Sequence, residues 1–106
     1  MKIQYNNTEN DTEVTGQASK TVELANGDKL QVKFLFWWNT LRNEFTTIDR
    51  GEITQKGVAL AYFHKFGNFM TWNLRESNNY ASEFSKLVGD MFSEVGKKIA
   101  KEHAKI

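Results

Sequence analysis

Two histidines, His64 and His103, are the obvious side chains for metal ligation or proton transfer near neutral pH. Neither has a Cys nearby, and the chain contains no Cys at all. No HExxH-type spacing surrounds either one, so no metal and no cofactor are expected. Asp49 and Glu52 flank Gly51 and offer two carboxylates, but a general acid–base pair needs a set separation across a cleft. In this context they read as a charged turn. Serines and threonines are plentiful, yet there is no GxSxG elbow and no evident base. The segment "NGDK" around Gly27 is hairpin chemistry and not a phosphate cradle. The expectation is a non-enzymatic protein.

The other chemistry open to these residues is stacking and burial. "LQVKFLFWWN" concentrates Phe34, Phe36, Trp37 and Trp38 in one short run, and "VALAYFHKFGNFMTW" adds Tyr62, Phe63, Phe66, Phe69 and Trp72. Aromatic rings serve as core, as interface anchors, or as platforms for bases with cations between them. Which role each ring takes depends on the element that carries it.

The 106 residues fit one domain of marginal stability. The hydrophobic fraction of 40% and the charged fraction of 25% are those of a globular chain. Residues 1–17 are polar and lack apolar periodicity, so they read as a disordered or loosely ordered tail, able to become a strand or arm on binding. Residues 18–106 read as a single α+β domain. No stretch reaches the roughly 18 apolar residues that span a bilayer, and the first residues lack an apolar signal core. Together with the missing Cys, this leads to a cytoplasmic expectation. Lys outnumbers Arg 11 to 3 and there are 10 Asn, a bias that suggests an AT-rich bacterial or phage genome.

"KTVELANGDKLQV" predicts a hairpin. A three-residue loop, Ala25-Asn26-Gly27, gives Gly27 the positive φ and sets Val22 opposite Leu30, Glu23 opposite Lys29 and Thr21 opposite Gln31. The second strand runs on to Asn39, with Phe34, Phe36 and Trp38 on one face and Lys33, Leu35 and Trp37 on the other. "FTTIDRGEITQKG" reads as one bent strand or two short ones. A two-residue Gly67-Asn68 turn makes a further hairpin, with Phe63 opposite Trp72, Ala61 opposite Leu74, Lys65 opposite Met70, Tyr62 opposite Asn73 and His64 opposite Thr71. Tyr80, Phe84, Leu87, Val88, Met91, Phe92, Val95 and Ile99 recur at helical spacing and predict a helix over 79–104, with Ser77, Asn78 and Asn79 as N-cap candidates. At 1.5 Å per residue this helix is about 38 Å long, so its basic last turns are expected to overhang the sheet.

These elements give the expected fold: α+β, an antiparallel β-sheet of about four to five strands in a meander of hairpins, packed on one long C-terminal α-helix. Phe34, Phe36, Trp38, Phe63, Trp72 and Leu74 would lie beneath the helix. Strands followed by one long helix are similar, in topology alone, to the Whirly-type single-strand binders.

One helix covers one face. The other face would carry the ligand-binding residues Lys33, Leu35, Trp37, Tyr62, His64 and Arg75, joined by Leu60, Phe66 and Phe69, with Lys65 and Lys56 as further cations to meet a nucleic-acid backbone. The first functional expectation is binding of single-stranded nucleic acid, bases stacking on Trp37 and Tyr62. The alternative is a protein–protein interaction module, either a homodimer or a small phage or mobile-element inhibitor of a host protein. The low net charge of +1 favours the alternative. A stripe of small helical residues, Ser85, Gly89, Ser93 and Gly96, is a candidate dimer interface or a seat for close packing, because each helical Gly costs about 1 kcal/mol relative to Ala.

Overall fold

The computed structural model describes residues 1–6, 12–75 and 81–103. Six strands, β1 (Lys2–Tyr5), β2 (Glu13–Glu23), β3 (Lys29–Asn39), β4 (Glu44–Gln55), β5 (Val58–Phe66) and β6 (Phe69–Leu74), precede one helix, α1 (Ala81–Glu102). Their spatial order equals their chain order, and every neighbouring pair is antiparallel. The α+β meander with its C-terminal helix is as expected, with six strands in place of four to five. The N-cap candidates Ser77, Asn78 and Asn79, with Tyr80, lie outside the described residues.

The added strands correct the reading of 1–17. Within that stretch, Lys2–Tyr5 form β1 and residues 13–17 begin β2. Its first core-facing positions are Val14, Gly16 and Ala18, one valine followed by two small residues, so alternation leaves only a weak hydrophobic signal. Gly16 is small for a reason: a Cβ there would strike the Gln4 carbonyl and sit 2.8 Å from Phe36 Cζ. β1 is held at its far end as well. The Tyr5 hydroxyl donates to Glu102 Oε2 at 2.7 Å. Burial and the adjacent carboxylate raise the Tyr5 pKa, which keeps the phenol a donor.

The first long hairpin closes as its turn residues dictate. The Gly27 amide donates to the Leu24 carbonyl (2.9 Å), the Leu24 amide to the Asp28 carbonyl (2.8 Å), and Gly27 has φ 89°. Thr21↔Gln31, Val22↔Leu30 and Glu23↔Lys29 then pair as predicted. The β5–β6 pairing also matches its prediction at every position.

The core lies between the sheet and one face of α1. Phe34, Phe36 and Trp38 are buried by alternation along β3, and Phe84, Val88, Met91, Val95 and Ile99 by helical spacing. The Phe34 ring meets Phe45, Phe63 and Phe92 edge-on, with centroids 6.4, 6.3 and 5.2 Å away. Two expectations are corrected. Leu74, predicted beneath the helix, is 40% exposed because β6 is the edge strand. The expected overhang assumed a helix longer than the strands, and over the described residues that premise fails: the 22 residues of α1 span about 33 Å, whereas the 11 residues of β3 span about 36 Å.

The small-residue stripe divides. Gly96 is buried, and a Cβ there would lie 3.2 and 3.3 Å from Trp38 Cζ3 and Cη2. The helix backbone there passes close over the Trp38 ring. Gly89 faces open space, and Ser85 and Ser93 are exposed. Gly89→Ala is expected to stabilise by about 1 kcal/mol through helix propensity. Gly96→Ala should lose that gain, since the buried Trp38 ring is braced by Phe45 at 4.8 Å and cannot slide. Thermal melts of the two variants check this. An equal rise in both would remove the close-packing explanation for Gly96.

Candidate binding face

The sheet face away from α1 is built by register. One row runs Thr15, Trp37, Thr47, Phe66, Phe69, and another Ser19, Lys33, Glu52, Tyr62, Asn73. Along β5, Tyr62, His64 and Phe66 form a line on this side, since successive side chains alternate faces, whereas Leu60 sits at a register shift against β4 and packs against the core. Tyr62, Phe66 and Phe69 are 47%, 56% and 75% exposed. The His64 ring lies 5.3 Å from that of Phe66.

A bulge in β4 sits at the centre. Leu35 faces Asp49 and Lys33 faces Glu52, so Phe34 alone opposes both Arg50 and Gly51. On the other side, Ile48↔Lys65 and Gly51↔Phe63 leave His64 opposing Asp49 and Arg50. Arg50 is the extra residue, in left-handed backbone at φ 50°. The Asp49 carboxylate accepts its amide at 2.8 Å. The bulge flips the alternation, so Ile48 and Ile53 are both fully buried while Asp49 and Glu52 both face outward. Gly51 lies directly under the Phe63 ring. Arg50 separates two shallow clefts. One, of about 170 Å³, is lined by Gln17, Lys33, Phe34 and Leu35. The other, of about 230 Å³, includes Tyr62, His64, Thr71 and Asn73.

The predicted site residues fall on this face with one exception. Lys33 forms an ion pair with Glu52 at 3.0 Å. Leu35, Trp37 and His64 are half-buried here, and Tyr62 and Arg75 are exposed. Lys65 is the exception. It pairs with Ile48 and Met70 on the helix side, as alternation from His64 requires. Arg50 was not among the predicted residues. Its signal was the odd spacing of Ile48 and Ile53 around a glycine, which no unbroken strand can bury on one side.

No family model matches the chain, and no curated protein or solved structure matches it. The reading therefore rests on the face itself. By register it carries Lys2, Lys29, Lys33, Arg50 and Arg75 against Glu13, Glu23, Glu44, Asp49 and Glu52, and so is neutral. Both carboxylates of the Asp49/Glu52 pair have structural partners, the Arg50 amide and Lys33. Among the described residues no cluster of His, Cys, Asp or Glu is placed to hold a metal ion, and no helix is long and apolar enough to cross a membrane.

Proposed function

We propose that this chain is a non-enzymatic binding protein whose outer sheet face docks a protein partner. The observation that carries the reading is the make-up of that face. Exposed aromatic side chains lie around a bulge-presented arginine, amid equal numbers of cations and carboxylates. Tyr, Trp and Arg are the residues that dominate protein interfaces. A single-strand platform needs unpaired cations to release counterions from phosphates. Here Lys33 is held by Glu52, and Asp49 and Glu52 would stand against the phosphate chain.

The test is differential capture with in-cell cross-linking, using tagged wild type, Tyr62→Ala/Phe66→Ala, Arg50→Ala and a helix control, Lys97→Ala. Wild type and control should retain the same protein, and the face variants should lose it. Truncating a central anchor costs about 2 kcal/mol, roughly thirtyfold in affinity. Equal capture by all four overturns the reading. So does quenching of tryptophan fluorescence by a single-stranded oligonucleotide with a negative log–log salt slope, which would assign the face to nucleic acid.

A further inference from the structure

We infer that the open edge of β6 pairs with the same edge of a second copy of this chain, antiparallel, about a two-fold axis at Trp72. The hydrogen-bonding parity of β6 fixes which groups are available. The Arg75 amide donates to the Leu60 carbonyl at 3.0 Å, and the β5–β6 register is unbroken from Ala61↔Leu74 to Phe66↔Phe69. Phe69, Thr71 and Asn73 therefore exchange bonds with β5. The N–H and C=O groups of Met70, Trp72 and Leu74 point out of the sheet, and among the described residues β6 is the terminal strand with β5 as its one neighbour.

Such an edge is normally blunted by a charge, a proline or a bulge. The sequence of β6, FMTWNL, has none of these, and its register has no shift. The opposite edge is different: β1 has 4 residues, includes Lys2, and is tied to the last turn of α1 through Tyr5 and Glu102.

The charge pattern suits a second copy as the occupant: no like charges meet along β6, and the flanking Arg75 meets an aromatic ring. In a two-fold contact a charge at the axis meets its own kind, and β6 is free of charge throughout. With Trp72 on the axis, Met70 faces the second copy's Leu74 and Trp72 faces its counterpart, so three apolar pairs align on the helix side. On the outer face Thr71 meets Asn73, and Phe69 meets Arg75, a cation over an aromatic face. This register uses every outward-pointing backbone group of β6. It also covers Phe69 and Leu74, which are 75% and 40% exposed in one copy. The two sheets become one, and the Tyr62–Phe66 lines of both copies face the same way.

Sedimentation from about 1 to about 500 µM tests the pairing, because dimer population follows mass action. Phe69→Arg sets arginine against the second copy's Arg75 twice per dimer, and should weaken association about tenfold or more. Phe69 is exposed, so circular dichroism should not change. Adding Arg75→Glu to that variant restores opposite charges and should restore the dimer. Amides of Met70, Trp72 and Leu74 should gain hydrogen-exchange protection as concentration rises. A monomer throughout the range overturns the proposal. So does a dimer that Phe69→Arg leaves unchanged, or one that forms without protecting those three amides.

Discussion

Replacing Gly51 by Ala is expected to destabilise the fold by about 3 kcal/mol, the upper end of the range for forced overpacking. The backbone at Gly51 is not left-handed, so the cost is steric rather than conformational. An added Cβ would overlap three ring carbons of Phe63, which is itself 2% exposed. That ring cannot retreat, since it packs against Phe34, Phe92 and Trp72 with centroids 6.3, 6.0 and 5.2 Å away. Urea denaturation of Gly51→Ala, Phe63→Leu and the double variant measures the effect. The smaller Leu side chain should absorb part of the penalty from the added methyl group, so the double variant should be more stable than the sum of the two changes predicts. Strict additivity would mean that the bulge is not locked by this contact. A stability near 5–15 kcal/mol is usual for such a domain, so a loss of about 3 kcal/mol shifts the midpoint well outside measurement error.

Phe34→Ala should cost about 4 kcal/mol, whereas Leu35→Ala, its neighbour in the chain, should cost about 1 kcal/mol. Phe34 is 1% exposed and touches rings from β4, β5 and α1. Leu35 lies on the outer face, half-buried beside Gln17 and Asp49. Removing the Phe34 ring opens a cavity where sheet and helix join, and the surrounding aromatics can fill only part of it. Removing the Leu35 side chain deepens an existing shallow cleft open to water. Denaturation midpoints of the two variants give the comparison, and similar losses would contradict the assignment of faces along β3.

The two proposed surfaces differ in what disrupts them. Tyr62→Ala/Phe66→Ala acts on the outer face, and Phe69→Arg on the β6 edge. If both proposals hold, pairing at β6 presents two copies of the partner-binding line, and loss of the dimer would lower apparent affinity for a multivalent partner without altering each site.

The parts legible in the sequence are those in which one short segment settles its own geometry. Asn26-Gly27 and Gly67-Asn68 fix their turns, and each turn fixes its hairpin register, because pairing partners are a few residues apart. Alternation along β3 separates Phe34, Phe36 and Trp38 from Lys33, Leu35 and Trp37, since a pleated strand has only two sides. Helical spacing marks the buried stripe of α1 for the same local reason.

Tertiary structure decided what depends on contacts between distant segments. β1 has too little apolar content to declare itself, and it is a strand because Gly16 admits its backbone and Glu102 accepts from Tyr5, 97 residues away. Gly96 is small because Trp38 of another element occupies the space its Cβ would need. The bulge at Arg50 satisfies two burial demands at once, Ile48 and Ile53 on one side of a strand with an odd spacing between them. That same bulge turns Asp49 and Glu52 outward together, and so places Glu52 against Lys33 and makes the outer face neutral. The aromatic face was written in the sequence through strand alternation. Its charge was set by one extra residue in β4, whose effect exists only once three strands pair around it.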